Sequence, residues 1–226
     1  MSSVAIIPAR GGSVRVPLKN IVEICGKPAV AYPIEVCVES GVFDEVIVST
    51  DHSEIAQIAE NYGASVHKRS PELSDSVAKV RDVVVDVLEN KECELGCIVY
   101  PTAILIQVDD IQASHAMIDN DAALDFVLGA SAMHPHPYKA LKQTSAGCRP
   151  VFGEKIDMKG QEQPAYFAPN GTLHWFRRGA FLQQSDYWQA NRALYPMSKL
   201  RSFDMDEPED VEIIRAIKRY QIETAS

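Results

Sequence analysis

The residues best suited to chemistry in this 226-residue chain stand near its two ends. The apolar run Ser3-Val4-Ala5-Ile6-Ile7 breaks at Pro8 into Ala9-Arg10-Gly11-Gly12-Ser13. Adjacent glycines let backbone N–H groups turn toward a ligand without Cβ interference. Arg10, Arg15 and Lys19 surround that loop with positive charge. Cations and free N–H groups after a first strand suit an anion, a phosphate chain above all. The loop is neither GxxxxGK[ST] nor GxGxxG. Taken alone, it also reads as a tight turn with solvated charges. Far downstream stands Asp204-Met205-Asp206. Two carboxylates at i and i+2 of an extended segment point to the same side and repel. A hard cation such as Mg2+ would neutralise both, since it favours one or two carboxylates plus substrate phosphates. The competing reading is a helix entry with acidic residues that favour the helix dipole.

Tyr166-Phe167-Ala168-Pro169-Asn170-Gly171 admits two readings as well. Asn-Gly is a common turn pair, and the Asn170 amide could instead hydrogen-bond a substrate. The six histidines show no metal-ligand spacing, and His174 reads as a packed strand residue. No G-x-S-x-G nucleophile motif occurs.

The elements that must position these groups follow an alternating pattern. Residues 3–8, 45–51, 64–67, 96–100, 126–130 and 172–176 read as strands. Helices are predicted over 28–41 with Gly41 as its stop, 54–63, 76–91, 109–119, a stretch after Arg177, and 209–222 with Pro208 in the first turn. Strand–helix alternation implies parallel strands with right-handed crossovers. The opening loop then lies at a strand's carboxyl end, where open parallel sheets bind ligands. Residues 134–169, rich in prolines and polar groups, read as an insertion: a lid, or an arm for a partner subunit.

Composition narrows the function. Hydrophobic residues make up 46%, which fits a folded chain. Net charge is −9, with 31 acidic against 22 basic residues, which argues against a broad nucleic-acid surface. The first apolar run is too short for a signal peptide, and Arg10 follows it. No stretch approaches the roughly 20 apolar residues of a membrane span. A cytoplasmic protein without membrane partners is expected, its five cysteines free thiols.

Together these stretches resemble the CMP-acylneuraminate synthetases, or acylneuraminate cytidylyltransferases. The family's opening motif is close to I-P-A-R-G-G-S-K-x-x-P-x-K-N, and here it stands as Ile7-Pro8-Ala9-Arg10-Gly11-Gly12-Ser13-Val14-Arg15-Val16-Pro17-Leu18-Lys19-Asn20. The similarity continues through Gly26-Lys27-Pro28, Val48-Ser49-Thr50-Asp51, Arg69-Ser70-Pro71-Glu72-Leu73, Pro101-Thr102, His136-Pro137-Tyr138-Lys139 and Pro169-Asn170-Gly171 to Asp204-Met205-Asp206. The resemblance implies a doubly wound α/β fold, Rossmann-like and mostly parallel, in one domain spanning residues 1–226 with a dimerisation insert at 134–169. It implies attack of the anomeric hydroxyl of an acidic nine-carbon sugar on the α-phosphate of CTP, releasing pyrophosphate. By resemblance Arg10, Gly11, Gly12, Ser13, Arg15, Lys19, Asn20 and Arg69 hold the nucleotide, and Arg10, Lys19, Asp204 and Asp206 carry the catalysis. Asp204 and Asp206 bind Mg2+, and Lys139, Lys159, Asn170, Tyr187 and Trp188 form the sugar pocket, in a homodimer. The chain departs from the pattern at Val14, where the family has lysine, at Lys159 for an arginine, and at Ala103-Ile104-Leu105-Ile106 for a more polar Ser-Pro-Leu-Arg. Pseudaminic and legionaminic acid enzymes share the scaffold, and the CMP-Kdo branch does so more distantly. Two other readings are a nucleotide-binding relative weakened in catalysis and an NDP-sugar pyrophosphorylase.

Overall fold

Alternation along buried strands decides the layering of this protein. The computed structural model describes residues 1–13, 15–75, 77–183 and 189–225. Strand β1 is Ser3–Pro8, followed by the short ribbon β2 (Glu23–Ile24) and β3 (Lys27–Pro28). Then come α1 (Ala31–Ser40), β4 (Glu45–Thr50), α2 (Ser53–Asn61), β5 (Ser65–Lys68), α3 (Val80–Glu89), β6 (Leu95–Val99), α4 (Val108–Asn120) and β7 (Phe126–Ala132). The chain continues through β8 (Leu141–Thr144), β9 (Gly147–Pro150), β10 (Phe167–Arg177), α5 (Arg178–Gln183), β11 (Arg192–Pro196) and α6 (Pro208–Ala225).

Successive strand residues face opposite sides. Ala5 and Ile7 of β1, with Val46 and Val48 of β4, pack on Ile34 of α1, Ile55 of α2 and Ile111 of α4. Val4 and Ile6, with Ile47, pack instead on Val84, Val87 and Leu88 of α3 and Phe181 of α5. Both faces of the sheet are therefore covered, which is why its strands read as continuous apolar runs. A third cluster sets Val211 and Ile214 of α6 against Tyr32, Ile104 and Met205, holding the Asp-x-Asp segment to the body.

The seven strands run in the order β11-β7-β10-β6-β1-β4-β5. β1 pairs in parallel with β4 and β6, as do β4 with β5 and β7 with β11. The sheet is mostly parallel with helices on both faces, as expected. Uniform parallel alternation fails at β10, which is antiparallel to β6 and β7. The chain enters β10 from the excursion rather than from a crossover helix, so nothing forces the parallel direction.

Gly41 ends α1 in the left-handed region (φ 67°). The helix predicted from residue 76 starts only at Val80, because Lys79 is extended. Of the excursion read over 134–169, residues 167–169 already pair with Ala130–Ala132 of β7. The remainder carries the β8–β9 hairpin and 3-10 turns. Tyr138 is buried among Tyr166, Phe152 and His136.

Candidate active site

The strand order reverses at β1, with β4 on one side and β6 on the other. A crevice opens at the carboxyl ends of strands at such a point. The glycine loop leaves β1 there, and Tyr100-Pro101-Thr102 leaves β6 beside it. Gly11 is tied down: its N–H donates to Asp51 Oδ1 at 2.8 Å. A Cβ on Gly11 would lie 2.8 Å from the His52 ring, so only glycine fits that approach. The Gly11 N–H is thus engaged, whereas Gly12 and Ser13 line a cavity of about 130 Å3 with Arg10, Arg15, Lys19 and Asp206. Val14 lies outside the described residues.

A second cavity of about 240 Å3 adjoins it, lined by Arg10, Asn20, Arg69, Val80 and Tyr100 among others. Asn20 is 3% exposed, and its Nδ2 donates to the Arg10 carbonyl at 2.9 Å. That contact fixes the amide, and Oδ1 stays buried without a partner among the described residues. A buried acceptor without a partner is costly, and a ligand donor would relieve it. Arg10 Nη1 donates to the Asp75 carbonyl at 2.9 Å, tying the loop to the segment before α3.

Asp206 lines the first of these cavities, and Asp204 stands two residues before it. Asp204 Oδ1 accepts from the Met205 N–H at 2.8 Å and from the Thr102 hydroxyl at 3.2 Å. A Cβ on Gly171 would lie 3.2 Å from Asp204 Oδ2, so β10 approaches this carboxylate closely. Desolvation pushes the Asp204 carboxyl above its ordinary range, and Asp206 pushes it the same way. The Met205 N–H, Lys19 and Thr102 act in the opposite direction. Asp206 pairs with Arg15 at 2.8 Å and with Lys19 at 3.6 Å. Arg15 also pairs with Glu207 at 2.8 Å, so its guanidinium joins the two carboxylates at the wall of the first cavity. Lys19 Nζ further donates to the Met205 carbonyl at 3.2 Å. No cluster of three or more His, Cys, Asp or Glu side chains suited to a metal occurs among the described residues. The donor set is therefore two hard carboxylates beside a phosphate-sized cationic cavity. That set fits Mg2+, whose remaining ligands come from phosphate and water.

A third cavity of about 490 Å3 opens on the other side of Asp204, lined by Ser131, His134, Asn170, Gly171, Lys199 and Ser202 among others. Asn170 is largely engaged in its own turn: Oδ1 accepts from the Thr172 hydroxyl at 2.5 Å, and Nδ2 donates to Ser131 Oγ at 3.1 Å. Lys139 is in the excursion, where Nζ donates to the carbonyls of Ile156 and Met158. Lys159 is exposed on the same excursion. The cavity brings neither of them to Asp204; Lys199 is its lining cation. Tyr187 and Trp188 fall outside the described residues. A larger concavity of about 590 Å3, lined by Met1, Asp44, Glu45 and Lys91, lies by the amino ends of β1 and β4, away from these groups.

The family model for cytidylyltransferases matches residues 4–222. The chain belongs to the cytidylyltransferase family. This cytidylyltransferase is 30% identical to a pseudaminic acid cytidylyltransferase of Campylobacter jejuni over the full length of both chains. It is 29% identical to an N-acylneuraminate cytidylyltransferase of Streptococcus agalactiae, covering 93% of this chain and 52% of that one. Among solved structures, a CMP:2-keto-3-deoxy-manno-octonic acid synthetase complexed with CTP superposes with a TM-score of 0.78 at 18% identity, covering 98% of this chain and all of that one. That match shows the shared fold.

Sequence reasoning gave no role to three residues of this cytidylyltransferase site: Asp51, which anchors Gly11, Thr102, which steadies Asp204, and Lys199. Asp51 and Thr102 stand just beyond the ends of β4 and β6, a readable signal of a carboxyl-end position. Lys199 opens a short 3-10 turn with no such marker.

Proposed function

We propose that the protein transfers CMP from CTP to the anomeric hydroxyl of an acidic nonulosonic sugar, forming a CMP-sugar and pyrophosphate. The observation that carries this reading is the place of the Asp204–Asp206 pair, with Asp206 lining a cationic phosphate-sized cavity and Asp204 lining a larger one of mixed character. Arg10, Lys19, Gly12 and Ser13 hold the triphosphate, while Asn20 and Arg69 face the nucleoside. The Asn20 acceptor suits an amino group, which cytosine carries and uracil lacks. Asp204 and Asp206 would hold Mg2+, which supplies charge neutralisation at the phosphates and polarises the attacking hydroxyl. The sugar's anomeric oxygen forms the new bond to the α-phosphorus. The α,β-bridging bond breaks, its electron pair leaves with pyrophosphate, and the hydroxyl proton passes to solvent. Little covalent work falls to the protein, so alignment of the two cavities and matching of charge supply the rate. Lys199 is placed to pair with the sugar carboxylate. The excursion, with Leu141, Val151 and Phe152 exposed, is a dimer arm that brings Lys139 and Lys159 toward a partner's site.

The test is pyrophosphate release with CTP, Mg2+ and N-acetylneuraminic, pseudaminic, legionaminic or Kdo acid, with the other nucleoside triphosphates as controls. Turnover with CTP and one nonulosonate is expected. Nucleotide binding without turnover across the panel would overturn it, as would preference for another triphosphate with a sugar phosphate.

A further inference from the structure

Four side chains form a row that ends at the nucleotide-side cavity. Arg69, 6% exposed, donates from Nη2 to the Ser49 carbonyl at 2.7 Å and from Nε to Ser49 Oγ at 3.3 Å. Ser49 Oγ lies 3.1 Å from His67 Nδ1. His67 Nε2 lies 3.4 Å from Asp86 Oδ2. The fold places each member. The parallel register of β4 and β5 sets Ser49 beside His67, so both side chains emerge on one face of the sheet. Ile47, two residues before Ser49, packs on that face against α3, the helix that carries Asp86. The cavity edge of Arg69 is left over: Nη1 has no protein acceptor among the described residues, and the guanidinium lines the cavity with the unpartnered Asn20 oxygen.

Arginine can only donate, so Ser49 Oγ accepts from Arg69 Nε. The Ser49 hydroxyl faces His67 Nδ1, which donates or accepts according to the imidazole tautomer, and His67 Nε2 lies against the Asp86 carboxylate. Burial holds the Arg69 pKa below its usual value, Asp51 and Asp86 act the other way, and Arg10 adds to the lowering. A guanidinium is planar, so gripping one edge fixes the direction of the other.

We propose that Asp86, His67 and Ser49 are positioning residues for nucleotide binding: they lock one edge of Arg69 so that its other edge is presented to the nucleotide. This rests on the assignment of Arg69 to the nucleotide site. A locked fork loses less freedom on binding, so the benefit falls on nucleotide affinity and not on the chemical step.

The experiment measures pyrophosphate release by the full chain at saturating sugar and Mg2+, varying CTP. The variants are Arg69→Ala, His67→Leu, His67→Gln and Asp86→Asn. His67→Leu and Asp86→Asn are expected to raise KM for CTP about tenfold with kcat within about twofold, the loss of one well-placed hydrogen-bonded link. His67→Gln, which can accept from Ser49 and donate to Asp86, is expected to recover most of the affinity. In 15N-edited NMR, the Arg69 Nε–H signal should be protected from exchange in the wild type and lose that protection in His67→Leu. Asp86 is about one-third exposed (34%), so Asp86→Asn keeps the test valid if His67→Leu fails to fold. Unchanged KM in Arg69→Ala would remove the nucleotide assignment itself. Raised KM in Arg69→Ala with unchanged KM in Asp86→Asn and His67→Leu would overturn the positioning role alone. So would variants that melt earlier at unaltered KM.

Discussion

Asp206 pairs with two cations at once, which makes it the residue whose loss is most specific. Its carboxylate balances Arg15 and Lys19 and faces the cavity of Gly12 and Ser13. Asp206→Ala is expected to lower turnover by roughly a hundredfold to a thousandfold, the scale of removing one preorganised charge. Pyrophosphate release at saturating CTP measures it, and near-normal turnover would refute the assignment. Arg15 presents the opposite case. Its side chain is 55% exposed and its partners are about half exposed, so the pairs are screened by water. Arg15→Ala should therefore leave the urea unfolding midpoint nearly unchanged. The Arg15 guanidinium is held by both Asp206 and Glu207.

At the level of elements, the irregular middle of β10 does the positioning. Its pairing with β7 shifts register between Pro169 and His174. Bulges re-aim a strand, often beside active sites. Here the bulge carries Gly171 at φ 65° against Asp204. Gly171→Ala would force an L-residue into the left-handed region, costing about 1–2 kcal/mol. It would also press a methyl group on Asp204 Oδ2. The expected result is a modest fall in denaturation midpoint with a larger fall in kcat, and unchanged kcat would refute the contact's role. His174, at the end of the same bulge, is half-buried, and desolvation holds its pKa down to about 4 from 6.5. The folded state therefore binds fewer protons than the unfolded chain below pH 6.5. Stability is complete above that pH and declines as pH falls toward 4, by about 3 kcal/mol in all. His174→Gln should flatten the difference between urea midpoints at pH 7 and pH 4.5, and an undiminished slope would refute the cause.

For the whole molecule, the site is assembled from parts nearly two hundred residues apart. Arg10 and Lys19 belong to the first turns of the chain, while Asp204 and Asp206 precede the last helix. Van der Waals packing of α6 through Val211 and Ile214 brings the carboxylates back to the start. The excursion is the part left uncovered, with Leu141 57%, Val151 53% and Phe152 44% exposed. A dimer is expected in light scattering at micromolar concentration, with Phe152→Asp shifting it toward monomer. A monomeric wild type would refute the arm. Among the described residues no helix is long and apolar enough to cross a membrane.

Much of this could be read from the chain before folding. Buried parallel strands leave uninterrupted apolar runs, so β1, β4, β6 and β7 were legible, as were helix ends set by Gly41 and Pro208. The glycine loop and the Asp-x-Asp pair were legible because their chemistry is local: small residues, cations and carboxylates at fixed spacing. The direction of β10, the short strand β11 and the grip of Asp51 on Gly11 were not, because each depends on a neighbour distant in sequence. The fate of individual charges was hidden for the same reason. Lys139 reads as a cation free to bind a substrate, and within its own chain its Nζ donates to two backbone carbonyls. Lys199 carries no sequence marker, and the closing of α6 over the sheet leaves it at a cavity wall. Residue type and spacing settle which chemistry is available; long-range packing settles which charges are already paired and which still face a ligand.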